Sequence, residues 1–246
     1  MSELTDEADR LIARGEERGV HLRLLGGLAV SELCPSAQLP TLRRQYPDID
    51  LVTDRFSGPA TRSLLSDSGY LGDQRFNALH GETRLLFFHE AGGWQIDVFL
   101  GEFSMCHRID LSRSLLPGRR TIPPADLLLT KLQIVEMNLK DMKDVVTILL
   151  DHPVVGEADP EALELARLVE PTSRDWGLYT TVTDSLARVR ADAPDLLDAE
   201  QLRTVEERVT AITEAMASAP KSRRWGLRSR VGRRVLWYEL PDEVGR

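Results

Sequence analysis

Cysteine is nearly absent. Cys34 and Cys106 are the only two in 246 residues, with no C-x-x-C pair and no neighbouring histidine cluster. That excludes a disulfide scaffold and a zinc site, and it fits a reducing cytoplasm. Aromatic residues make up 6% of the chain. No apolar run approaches the roughly 20 residues that a membrane helix needs, so no membrane association is expected. The N-terminal stretch Met1-Ser2-Glu3-Leu4-Thr5-Asp6-Glu7 is acidic, where a secretory signal would begin basic and turn apolar. Basic residues are outnumbered: a formal net charge of −8 argues against a general nucleic-acid coat, although a local basic patch remains compatible with it. Neither internal repeats nor low-complexity tracts occur. A hydrophobic content of 42% and a charged content of 28% are those of an ordinary globular protein. A chain of this length builds one large domain, or one domain with an appendage.

The organising stretch runs from Leu24-Leu25-Gly26-Gly27 to Tyr46-Pro47-Asp48-Ile49-Asp50-Leu51-Val52. An apolar strand ends in two glycines, and a helix-like run from Leu28 to Leu33 follows. The glycines let backbone pass close to a bulky anion, and a helix starting there points unpaired N–H groups at it. Residues two apart in a strand face the same way, so Asp48 and Asp50 project together. Paired carboxylates repel unless a cation lies between them. The pattern reads as a phosphate cradle facing a magnesium site, against the plainer alternatives of an ordinary turn and surface or turn-capping aspartates. Arg44 reads either as a phosphate contact, or an orienter of the aspartates, or as a solvated surface arginine.

Further along, 83–89 and 94–100 are β-like runs around Ala91-Gly92-Gly93, which predicts a hairpin. Asp97 sits inside the second run, where a carboxylate needs a cation, a set of hydrogen-bond donors or an exposed face. Other expected elements are a first helix over 4–18, a helix over 60–68, a strand over 108–116 and a helix over 125–137 opened by Pro123-Pro124. Lys131, flanked by core-like residues, either meets an anion or snorkels from the helix edge. Asp141 and Asp144 stand where they would cap the next helix and favour its dipole. Past Asp151-His152-Pro153, amphipathic helices are expected over 160–169, 175–190 and 199–216, with Pro171 separating the first two. The stretch from Lys221 to Arg234 is basic with Trp225 inside it, either a solvated face or a nucleotide- or RNA-binding one. Leu236 to Leu240 reads as a terminal strand or a packing segment.

With Gly26-Gly27, Asp48-Ile49-Asp50 and Asp97 in order, residues from about 20 to 150 resemble the nucleotidyltransferase superfamily with its polymerase-β-like fold. Arg44-Gln45-Tyr46-Pro47-Asp48-Ile49-Asp50-Leu51 is similar to a form shared by two branches. One holds the aminoglycoside and lincosamide nucleotidyltransferases; the other is the toxin-type group of type IV toxin–antitoxin and abortive-infection systems. Leu129-Thr130-Lys131-Leu132 and Lys140-Asp141-Met142-Lys143-Asp144 look more like the toxin-type group. Two departures stand: a longer gap between Gly27 and Asp48 than in the shortest family motifs, and Leu28 where Ser, Thr or Trp is common.

The resemblance implies an α+β fold: a mixed sheet flanked by helices over residues 1–152, then a helical region with a basic tail over 153–246. It implies transfer of a nucleoside monophosphate from an NTP such as ATP to a hydroxyl acceptor, tRNA or a small molecule such as an aminoglycoside, with release of pyrophosphate. Asp48 and Asp50 would bind Mg2+ or Mn2+, and Asp97 would join them on a second ion or take the acceptor's proton. Gly26, Gly27, Arg44 and Lys131 would contact the nucleotide, with Asp144 as a supporting residue. An antitoxin is an implied partner and the cytoplasm the implied location. The alternative is a catalytically silent nucleotide-binding or interaction module on the same fold.

Overall fold

Alternation in the sequence becomes a two-faced sheet in the computed structural model, which describes residues 3–89 and 93–240. The chain divides into two units. The first comprises Met1–Leu33, Gln45–Ser104 and Ile109–Ile122, and the second Cys34–Arg44, Met105–Arg108 and Pro123–Arg246. In chain order the elements begin with α1 (Glu3–Glu17), β1 (Arg23–Leu25), α2 (Gly26–Leu33), β2 (Asp48–Thr53), α3 (Gly58–Ser66), β3 (Tyr70–Gly72) and α4 (Gln74–His80). Next come β4 (Arg84–His89), β5 (Gln95–Leu100), β6 (Glu102–Ser104) and β7 (Arg108–Asp110). The remainder is α5 (Pro124–Leu132), α6 (Leu139–Asp151), β8 (Val154–Val155), β9 (Leu163–Glu164), α7 (Leu165–Arg174), α8 (Trp176–Asp192), α9 (Ala199–Ser218) and α10 (Arg223–Val231).

The first unit is built on a five-stranded mixed sheet in the order β1-β2-β5-β4-β3. Only β2 and β5 run parallel; the other pairs are antiparallel. Ile49, Leu51, Ile96, Val98, Leu85 and Phe87 share one face and are fully buried. Each large apolar side chain removed from water contributes about 1.5–3 kcal/mol, and a one-residue slip would turn this whole set outward. The core face therefore fixes the register, and the register decides which residues share the other face. The expected hairpin is present as the β4–β5 pair. Its turn residues Ala91 and Gly92 lie outside the described residues.

The second unit is helical. Helices α5 and α6 pack with α7, α8 and α9 and belong to this unit. The cause is visible in α5: Ala125, Leu127, Leu128, Leu129 and Leu132 are all buried, which leaves it no solvent face.

Several elements depart from expectation. The strand expected over 108–116 ends at Asp110, because a 3₁₀ turn at Ser112–Ser114 follows it. Helix α5 stops at Leu132, short of 137. Residues 160–164 are not helical, since Leu163 and Glu164 pair in parallel with Val154 and Val155. Pro171 lies inside α7 instead of ending it. It removes one backbone donor, but its carbonyl still accepts from Asp175 N–H at 3.0 Å, and Thr172 Oγ1 donates to the Leu168 carbonyl at 2.8 Å. Residues 236–240 form no strand, and within them Trp237 packs edge to face on Trp176 at 6.1 Å. Among the described residues no helix is long and apolar enough to cross a membrane.

Candidate functional site

In β2 the register gives each aspartate a defined neighbour. Ile49 and Leu51 point into the core, so Asp48 and Asp50 take the opposite face, both partly exposed. The parallel pairing sets Asp50 beside Asp97, and the antiparallel one sets Leu25 on the other side of Asp50. The residue after Leu25 is Gly26, first in α2, with φ +67°. A Cβ on Gly26 would lie 1.9 Å from Asp50 Oδ2 and 2.7 Å from its Cγ. Only glycine fits, for its positive φ and for the absent side chain. Gly27, second in α2, is partly exposed. The first unit thus brings Gly26, Gly27, Asp48, Asp50 and Asp97 together.

Asp97 is only 4% exposed. Of the three environments open to it, the structure supplies donors. Arg84 Nε donates to Oδ1 at 2.7 Å and Arg84 Nη2 to Oδ2 at 3.0 Å, while Gln95 Nε2 donates to Oδ2 at 2.8 Å. The Arg84 guanidinium also lies 5.0 Å from the Phe99 ring centroid and 5.4 Å from that of Phe76. Sequence reasoning missed Arg84. Its partnership depends on Leu86 pairing with Asp97, which makes Arg84 the diagonal neighbour of Asp97 on the same face.

Among the described residues no three His, Cys, Asp or Glu side chains are grouped to hold a metal ion. The donor chemistry separates the three aspartates. Asp48 and Asp50 offer hard oxygens on one face, which suits a magnesium-type ion held by one or two carboxylates. Asp97 would be available to an ion only with Arg84 turned away.

The remaining predicted residues lie in the second unit, and they meet one another. Arg44 grips Asp144 through Nε–Oδ1 and Nη2–Oδ2 contacts of 2.6 Å each. Lys131 Nζ is 2.9 Å from Asp144 Oδ2 and 3.9 Å from Asp141 Oδ1. Burial alone would lower the Lys131 pKa, but Asp144 and Asp141 together hold it above the usual lysine range. Lys131 therefore meets an anion, and Arg44 is no surface arginine: its side chain is 12% exposed. Only Asp141 caps α6, in a reciprocal pair with Asn138. Asp144 is buried and serves the two cations.

Cys34 Sγ lies 3.6 Å from His152 Nε2, a pairing that elsewhere activates a nucleophile. Here burial pushes the thiol well above its ordinary range, with Asp151 and Asp144 adding to the shift. The thiol stays protonated and inert.

No protein-family description matches the chain, and no characterised protein matches its sequence. Solved structures similar to it include the following two. One is a lincosamide antibiotic adenylyltransferase, LnuA, with lincomycin bound: 18% identity over 60% of this chain and 96% of that one, TM-score 0.43. The other is the antibiotic-resistance factor ANT(2'')-Ia: 12% identity over 94% of this chain and 99% of that one, TM-score 0.40. Both scores lie below 0.5, and the functional reading rests on the site's own residues.

Proposed function

We propose that the chain is a metal-dependent nucleotidyltransferase that moves a nucleoside monophosphate from an NTP to a hydroxyl acceptor and releases pyrophosphate. The observation that carries this reading is the approach of Gly26 to Asp50. A glycine that only its missing side chain admits begins a helix directly over an Asp-x-Asp strand. N–H groups of that helix start, where Gly27 is partly exposed, would hold the anionic β- and γ-phosphates. Asp48 and Asp50 would hold Mg2+ or Mn2+, which supplies charge neutralisation of the triphosphate and draws electron density from the α-phosphorus.

In the transfer, the acceptor oxygen forms a bond to the α-phosphorus while the bond to the α,β-bridging oxygen breaks. Pyrophosphate leaves with that electron pair. Asp97 contributes the third carboxylate, as a further ligand or as acceptor of the hydroxyl proton. Arg84 and Gln95 fix its orientation as proton acceptor, whereas the ligand role would require Arg84 to turn away. Positioning and charge neutralisation supply most of the rate, as in phosphoryl transfer generally. The acceptor is a small hydroxylated molecule or a tRNA 3′ end, in a cytoplasmic setting.

One observation favours a second reading, a silent nucleotide-binding module: both oxygens of Asp97 already accept hydrogen bonds. Thermal unfolding of wild type and Asp48→Ala/Asp50→Ala, with and without Mg2+ and each NTP, tests the site. Ligand at about 100 times its Kd should stabilise wild type by about 2.7 kcal/mol and leave the double variant unmoved. A shift without pyrophosphate release, across small hydroxylated acceptors and tRNA, would select the silent module. No shift with any NTP at millimolar concentration would overturn both readings.

A further inference from the structure

The basic stretch from Lys221 to Arg234 has no part in the chemistry above, yet the second unit builds it into a cavity. Most of it forms α10, packed against α8. Trp225 meets Tyr179 edge to face at 5.4 Å, and Lys221 Nζ lies 5.0 Å from the Tyr179 centroid. The following segment folds back over the start of α8. Trp237 Nε1 donates to Thr181 Oγ1 at 3.1 Å, and Glu239 N–H donates to the Cys106 carbonyl at 3.0 Å. Gly177 admits this crossing, since a Cβ there would lie 2.7 Å from the Trp237 carbonyl oxygen. These elements enclose a cavity of about 480 Å³, within the range of roughly 300–1,000 Å³ usual for small-ligand sites.

Its walls are aromatic and cationic. Trp176, Trp225, Trp237 and Tyr238 line it together with Arg224 and Arg228. The Arg228 guanidinium lies 4.8 Å from the Trp176 ring centroid and is pinned by the carbonyls of Gly232 at 2.7 Å and Val235 at 2.8 Å. It is a rigid stacking plate. Arg224 is exposed at the same cavity, and its planar fork suits a phosphate.

Four arginines line the cavity against two carboxylates, Asp175 and Glu239. Asp175 Oδ1 accepts from Leu178 N–H at 2.9 Å, Glu239 lies 3.9 Å from Arg108, and Arg174 pairs with Glu170 at 2.6 Å, which leaves Arg224 and Arg228 without a carboxylate partner among the described residues. A local positive excess in a chain of net charge −8 selects an anion.

We propose that this cavity binds a nucleobase bearing a phosphate, with the base stacked among the tryptophans and Arg228 and the phosphate held by Arg224. Base–aromatic stacking tolerates any base, and arginine adds a cation–π contribution. The ligand is a free nucleotide or the end of a single-stranded RNA. The proposal does not depend on nucleotidyl transfer.

The test uses the full chain in EDTA, as wild type, Asp48→Ala/Asp50→Ala and Arg224→Ala. Each is titrated with AMP and, separately, with a labelled five-nucleotide single-stranded RNA, read by tryptophan quenching and anisotropy. Binding should be equal in wild type and the aspartate variant. It should be at least about tenfold weaker in Arg224→Ala, with the salt slope for RNA reduced by about one. Arg224 is exposed, so its variant should melt with wild type. Binding of AMP alone or with RNA identifies a nucleotide site, and binding of RNA alone identifies an RNA end. The proposal falls if neither ligand binds at millimolar concentration, if Arg224→Ala binds as wild type does, or if binding is lost only in the aspartate variant.

Discussion

Gly26 and Asp50 are neighbours only because the glycine has no side chain: a Cβ there would lie 1.9 Å from the Asp50 carboxylate oxygen. Gly26→Ala therefore carries two costs. The φ of +67° strains any L-residue by about 1–2 kcal/mol, and the methyl must displace the carboxylate. We expect a loss of about 2 kcal/mol or more in urea unfolding and loss of the NTP-dependent thermal shift. The double variant Gly26→Ala/Asp50→Gly keeps the strained φ but removes the clash. It should recover stability relative to Gly26→Ala without recovering NTP binding. Additive effects of the two substitutions would show that the residues do not touch.

Arg84 and Asp97 separate structural from chemical roles. Arg84→Met leaves a carboxylate that is 4% exposed with Gln95 alone, and losing one partner of a buried pair costs about 3–5 kcal/mol. Asp97→Asn keeps a side chain of the same shape that can still accept from Arg84. It should cost less than Arg84→Met in denaturant unfolding and yet abolish pyrophosphate release. An Asp97→Asn enzyme with wild-type turnover would remove Asp97 from the chemistry.

How much of this was legible beforehand depended on sequence distance. The Asp-x-Asp strand, the glycine turn and the β4–β5 hairpin follow from alternation within a few residues, and the long helices α8 and α9 from their apolar periodicity. Strand β3 is three residues long with Leu71 exposed, too short to show a period. The Arg84–Asp97 pair needs the strand register, and the Arg44–Asp144 pair joins residues 100 apart. No local pattern encodes either. Pro171 misled because proline's cost is local, whereas the buried contacts of Leu168 and Thr172 that hold α7 together are not.

Asp144 answers to two cations at once, and the second unit should be sensitive to it. With Asp144 2% and Lys131 13% exposed, Asp144→Asn leaves Arg44 and Lys131 short of a buried countercharge. A loss of about 3–5 kcal/mol is expected. Adding Lys131→Met should return part of it by removing one stranded ammonium. The folded-state pKa of Lys131 is raised, so its stabilisation is complete below the ordinary lysine value of about 10.4. It is lost as pH rises through the higher folded value. Alkaline unfolding of Asp144→Asn should therefore begin at lower pH than that of wild type.

His107 predicts the opposite dependence, on the acid side. Its Nε2 lies 2.8 Å from Thr181 Oγ1, and burial pushes its pKa below the ordinary value of 6.5, only partly offset by Asp175 and Glu239. The unfolded chain then binds a proton at pH values where the folded chain resists it, so stability rises with pH through this window. The contribution is complete above about pH 7 and erodes as pH falls through the unfolded value of about 6.5. His107→Gln keeps a polar side chain that does not titrate. Measured between pH 7.5 and 5.5, its melting temperature should fall less than that of wild type, and the difference between the two curves isolates the histidine from the carboxylates. Parallel curves would mean that His107 protonates as easily in the fold as outside it. In that case the fold would have to open the imidazole to water, contrary to its 9% exposure.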